Sequence, residues 1–133
     1  MTAFGPQLIG ETEKALNAIL RENLAGRGLA EPVWVTVRLA AQASASDDLI
    51  AVVAEKARYD DAGELVAAVN RRGLVDGSGI TEAGTQLIAD VQREVRLATA
   101  HVWADLDPVD VAATERVLNA VAERARAVLD ARV

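Results

Sequence analysis

The chain has 133 residues, with 20 acidic against 14 basic side chains, a formal charge of -6 and no cysteine. That length suits one domain of roughly 100–200 residues. The missing cysteine excludes disulfides, thiolate metal sites and a cysteine nucleophile. The acidic balance gives no general attraction to phosphate or to an anionic membrane surface.

The N-terminus, MTAFGPQLIGETEKAL, lacks the basic start and apolar run of a signal peptide. No stretch of about 18 uncharged apolar residues occurs, so a soluble, cytoplasmic protein with no membrane partner is expected. Ala and Val supply most of the apolar residues, and the aromatics are Phe4, Trp34, Tyr59 and Trp103. Small side chains of this kind suit closely packed helices.

From Pro6 to Leu24, the residues Leu8, Ile9, Leu16, Ile19, Leu20 and Leu24 fall on one helical stripe, and Gly26 and Gly28 are stop signals. The next stretch, EPVWVTVRLAAQA, alternates at Val33, Val35 and Val37 as a strand would. Pro32 suits a first helical turn, however, and the Leu-Ala-Ala tail favours a buried helix. Ser46, Asp47 and Asp48 are a capping cluster for a short helix in DDLIAVVAEKARY, and Asp60 and Asp61 are expected to do the same for DAGELVAAVNRR. On this last helix Ala62, Leu65, Val66 and Val69 share a packing face, leaving Glu64, Ala67, Ala68 and Arg71 opposite.

Gly73 stands where a helix ends in a left-handed residue. Asp76-Gly77 reads as a two-residue hairpin turn between Leu74-Val75 and Ile80. Thr81 is placed to cap the following helix, with Glu82 in its first turn. An apolar stripe of Leu87, Ile88, Val91, Val95, Ala98, Val102 and Leu106 then predicts a long helix running to DLDP. Pro108 starts another, in which Val111, Thr114, Leu118, Val121, Ala125 and Val128 keep a three-four spacing. Three amphipathic helices exceed what one small core can cover, which predicts a homodimer interleaved through residues 6–24 and 109–131.

Short helices, a hairpin and a long helix make a winged helix-turn-helix. At this point the chain resembles the MarR family of transcription regulators. EPVWVTVRL resembles that family's second helix. NRRGLVDGSG followed by ITEAG resembles the end of the recognition helix, the wing and the start of the fifth helix, and DLDPVDVAATERVLNAVAERA resembles the closing helix. The resemblance covers nearly the whole chain, and its most specific part is RRGLV followed by ITEAG.

It implies a mainly α fold: a single domain over 1–133, with a winged helix-turn-helix at about 31–82, a small two-stranded β wing, and long N- and C-terminal dimerisation helices at about 6–25 and 83–131. It also implies a homodimer that binds double-stranded DNA, with a recognition helix in the major groove, and release by a ligand or oxidant. Carried over by position, the groove-facing candidates are Asp61, Gly63, Glu64, Ala67, Ala68 and Arg71, with Arg72 beside them. A small aromatic ligand is a further implied partner. Trp34, Tyr59 and Trp103 are candidates for lining its pocket, or for plain core.

The chain departs from the family in two places. The usual wing is longer and carries an Asp-x-Arg element, whereas Val75-Asp76-Gly77-Ser78-Gly79 holds no basic residue. The recognition helix opens on Asp60-Asp61-Ala62-Gly63-Glu64, with carboxylates at the end that meets base edges. Residues 31–80 hold five basic and eight acidic side chains, a local charge of -3. An acidic reading head forfeits much of the affinity that counterion release supplies. The rival reading is therefore a MarR-fold ligand-binding or protein-interaction module with weak or lost DNA binding.

Enzyme chemistry is not expected. His101 with Asp105 and Asp107 falls short of a zinc ligand set. Ser44, Ser46 and Ser78 stand in no nucleophile-elbow context. GSGITEAG lacks the lysine of a phosphate loop. No catalytic residue, metal or cofactor is assigned.

Overall fold

A computed structural model of the chain describes residues 1–44 and 46–132, and within them the fold is mainly helical with one small antiparallel sheet. The chain divides into two compact units, Met1–Ala98 and a second from Thr99 onward. No helix among the described residues is long and apolar enough to cross a membrane.

In the first unit, α1 (Pro6–Ala25) begins with proline in its first turn, where a missing N–H costs nothing. It ends at Gly28, whose φ of +68 reverses the chain so that the Leu29 N–H donates to the Leu24 carbonyl at 3.0 Å. That reversal buries Leu24 and Leu29 with Trp34 and Val91, and Leu20, Val33, Val35, Leu87, Ile88 and Val95 pack around them. Arg27 in the turn forms an ion pair with Glu94, tying the end of α1 to α5 (Glu82–Ala98).

The valine-rich stretch is the helix α2 (Glu31–Gln42), not a strand. Helical spacing puts Trp34, Val37 and Ala40 in the core, and the Thr36 hydroxyl, also buried, donates to the Pro32 carbonyl at 2.8 Å. A strand would leave that hydroxyl to find another partner; the helix satisfies it within its own turn. α2 is the hub of the unit, touching α1, α3, α4, α5 and the second strand.

Asp48 caps α3 (Leu49–Lys56) as expected, accepting from the Ile50 N–H at 3.1 Å. Asp61 stands at the N-cap position of α4 (Ala62–Arg71), but its side chain makes no capping hydrogen bond. Its φ of -98 and ψ of 31 leave the extended region that N-capping geometry uses. The expected Asp61 cap is thus corrected to a charge at the positive end of the helix.

α4 closes on Gly73, with φ +73. Here the Gly73 N–H donates to the Asn70 carbonyl and the Leu74 N–H to the Val69 carbonyl, both at 3.0 Å, the pair of hydrogen bonds that closes a glycine-terminated helix. β1 (Val75–Asp76) and β2 (Gly79–Ile80) pair antiparallel, Val75 opposite Ile80 and Asp76 opposite Gly79. The turn residues are therefore Gly77 and Ser78, one residue later than the expected Asp76-Gly77. Asp76 uses its carboxylate to accept from the Ser78 N–H at 2.8 Å, and the positive φ falls on Gly79, at +112. An aspartate bonding two residues ahead fixes the turn after itself rather than within it.

Thr81 joins hairpin to helix. Its hydroxyl donates to the Gly73 carbonyl at 2.6 Å and accepts from the Gly84 N–H at 3.1 Å, capping α5.

The expected continuous helix to Leu106 is interrupted. α5 ends at Ala98, Thr99 takes φ -106 and ψ 11, and a short α6 (Ala100–Trp103) follows. Thr is a modest helix former whose hydroxyl competes for local partners, and here Thr99 accepts from Trp103 Nε1 at 3.2 Å. Val102 and Leu106, the last two residues of the expected apolar stripe, are exposed. Asp105 then turns the chain with a left-handed φ of 61, and Asp107 caps α7 (Pro108–Asp130) by accepting from the Val109 N–H at 2.8 Å. None of the described residues of α7 is buried.

Candidate nucleic-acid interface

The functional surface suggested by the sequence centres on α3, the turn of residues 57–61, and α4. The turn is sharp because Arg58 adopts φ 60, a left-handed conformation rare outside glycine, asparagine and aspartate. Val53 of α3 and Ala62 and Leu65 of α4 are buried together under Leu49, Tyr59 and Val66, with Val33 and Leu39 of α2 against them. A second cluster, Val37, Ala40, Val69 and Val75, fixes α4 and the hairpin on α2. Both ends of α4 are thereby anchored through one face.

The opposite face is open. Asp61, Gly63, Glu64, Ala67 and Arg71 are exposed, and Ala68 is half-buried at the edge. Arg72 is exposed too, but its guanidinium donates to the Gly28 carbonyl at 3.1 Å, bracing the end of α4 against the turn after α1. Asn70, which the sequence pattern did not single out, shares the open face. Its position three residues beyond Ala67 and seven beyond Gly63 is the signal that places it there. With Gly63 and Ala67 at its centre, the face is shallow, so an approaching surface can come close to the α4 backbone.

The hairpin supplies no cation. Asp76 joins Asp47 and Asp48 around an open cleft of about 210 Å³, which Ala40, Ala43, Ser44, Leu49, Gly77 and Gly79 complete. Each carboxylate there already accepts a backbone N–H: Asp47 from Ser44 at 2.9 Å, Asp48 from Ile50 and Asp76 from Ser78. Among the described residues no group of three or more His, Asp or Glu is arranged to hold a metal ion.

The three aromatic candidates occupy different surroundings. Trp34 is core, packed with Leu24, Leu29 and Val91. Tyr59 lies half-buried over the α3–α4 cluster, and burial pushes its phenol above the ordinary range, with Glu31 and Asp61 adding to the rise. Trp103 is exposed in the second unit, held by its bond to Thr99.

No protein-family model matches the chain, and neither a curated protein nor a solved structure matches it significantly.

Proposed function

We propose that the chain is a MarR-like, DNA-binding transcription regulator that acts as a homodimer, with α2, α3 and α4 as its helix-turn-helix, the β1–β2 hairpin as a short wing and α4 as its reading helix. The observation that carries this reading is the open face of α4: one side is locked by Ala62, Leu65 and Val69, while Gly63, Glu64, Ala67, Asn70 and Arg71 face outward. Small residues let the helix sit deep in a major groove. Glu64 is suited to accept from cytosine N4, Asn70 to pair with adenine and Arg71 to meet guanine or phosphate. The shift of Arg72 into a bond with Gly28 leaves Arg71 as the principal cation of that face.

A specific feature favours the second reading, a protein-interaction module of the same architecture that has lost DNA binding. The wing tip gathers Asp47, Asp48 and Asp76 where the resembled family carries an arginine, and negative charge beside a duplex costs affinity. Gel retardation of duplex DNA from upstream of the chain's own gene, at low salt, separates the two. A discrete shift supports the regulator. No shift by a folded, self-associated protein leaves the interaction module.

A further inference from the structure

Among the described residues, the buried clusters of the first unit never join α1 directly to α4. Leu20 and Leu24 of α1 pack with Trp34 of α2 and Val91 of α5. Ala62, Leu65 and Val69 of α4 pack instead with α2, α3 and the hairpin.

A polar bond crosses that gap. Arg72, which closes α4, donates to the Gly28 carbonyl at 3.1 Å, a partner 44 residues earlier in the chain. The acceptor is held firmly. Gly28 stands at φ +68 in a turn where the N–H groups of Arg27, Gly28 and Leu29 donate to the Leu24, Ala25 and Leu24 carbonyls at 2.9, 3.0 and 3.0 Å. Arg27 ties the same turn to Glu94 of α5. The donor is fixed as well, because the next residue, Gly73, donates its N–H to Asn70 and accepts the Thr81 hydroxyl at its carbonyl. Arg72 thus reaches from the junction of α4 and the hairpin to the junction of α1 and α2.

We infer that this bond couples the two junctions, so that a disturbance of the α1–α2 turn is felt at the end of the reading helix and at the hairpin. Arg72 is then a positioning residue and not a contact to DNA. An arginine at a helix C-terminus is commonly spent on that helix's own last carbonyls. Here it bonds outside its helix, to an element that shares no buried cluster with α4. The effect on DNA rests on the proposed regulator; the coupling does not, and it is read without DNA.

The test measures amide exchange at Gly73 and Leu74, whose N–H groups close α4, in wild type, Arg27→Ala, Arg72→Ala and the double variant. Removing the Arg27 side chain frees the turn from Glu94 without touching α4. Arg72→Ala is expected to speed exchange at both amides by about two- to tenfold, the effect of one ordinary hydrogen bond. Arg27→Ala should speed it as well, but add nothing once Arg72 is alanine, and Arg72→Lys, which keeps a donor, should restore most of the protection. Equal effects of Arg27→Ala in both backgrounds would make the junctions independent. That result, unchanged exchange in Arg72→Ala, or acceleration spread equally through α3 would overturn the inference.

On duplex DNA, Arg72→Ala should weaken binding at every salt concentration while leaving the salt slope unchanged. A slope flattened by about 0.9 would mark a phosphate contact and overturn the positioning role. A wild-type chain that binds no DNA removes the proposed regulator, and the exchange cycle alone then decides the coupling.

Discussion

A Cβ placed on Gly84 would stand 2.3 Å from the Leu74 carbonyl oxygen and 2.7 Å from Ile80 Cγ1. The backbone of α5 therefore approaches the hairpin as closely as only glycine permits. Gly84→Ala is expected to destabilise the first unit by about 1–3 kcal/mol, the usual cost of forcing volume into a packed site. A urea midpoint equal to that of the wild type would show that hairpin and helix are not in contact. Tyr59 offers a pH test. Burial first, then the charges of Glu31 and Asp61, raise its pKa above 10.0, so the folded chain keeps a proton that the unfolded chain loses. Its contribution is complete below pH 10 and is lost as pH rises through the higher folded value. Denaturation midpoints measured upward from pH 10 should fall more steeply for the wild type than for Tyr59→Phe; parallel curves would exclude this role.

At the scale of elements, the junction between hairpin and α5 depends on one hydroxyl that both caps the helix and holds the Gly73 carbonyl. Thr81→Ala should cost about 1–2 kcal/mol, and amide exchange at residues 82–84 should speed up more than exchange in α2. Uniform acceleration across the unit would place the loss elsewhere. This junction was legible from sequence because a glycine at a helix end suits the left-handed closing residue and a threonine before a helical run suits its N-cap. The helical state of α2 was legible for a similar reason, since Pro32 and the Leu-Ala-Ala tail outweighed three alternating valines.

Three features at this scale were not legible. The break at Thr99 sits inside an unbroken apolar period, and periodicity carries no information on where a helix stops. The turn shifted to Gly77-Ser78 because Asp76 spends its carboxylate on the next-but-one N–H, an outcome that Asp-Gly as a dipeptide does not encode. Asp61 looked like a cap, and its backbone conformation denies it that geometry. On the open face of α4, the buried and exposed sides followed from spacing alone. The diversion of Arg72 to Gly28 did not, because it depends on a bond across 44 positions of the chain.

At the scale of the whole molecule, the second unit is short of buried surface while the first has three linked clusters. Hydrogen exchange of α7 should therefore depend on protein concentration, slowing as copies associate, while α2 amides stay protected throughout. Exchange of α7 that is independent of concentration would detach its order from self-association. If α4 binds DNA, it does so from acidic surroundings, with five basic and eight acidic side chains over residues 31–80. With few cations near the open face, few phosphates are neutralised, and the slope of log affinity against log salt, about -0.9 per phosphate, should be shallow.

The most direct test is a fluorescence-anisotropy titration of the upstream duplex at several salt concentrations, with wild type, Arg71→Ala and Glu64→Gln compared. If α4 reads DNA, Arg71→Ala weakens binding and flattens the slope by about one unit for each phosphate that Arg71 neutralises. Glu64→Gln tightens binding, or relaxes specificity at one base pair if Glu64 reads a cytosine. Wild-type and Arg71→Ala curves that coincide in affinity and slope at every salt concentration would contradict DNA recognition by the open face of α4.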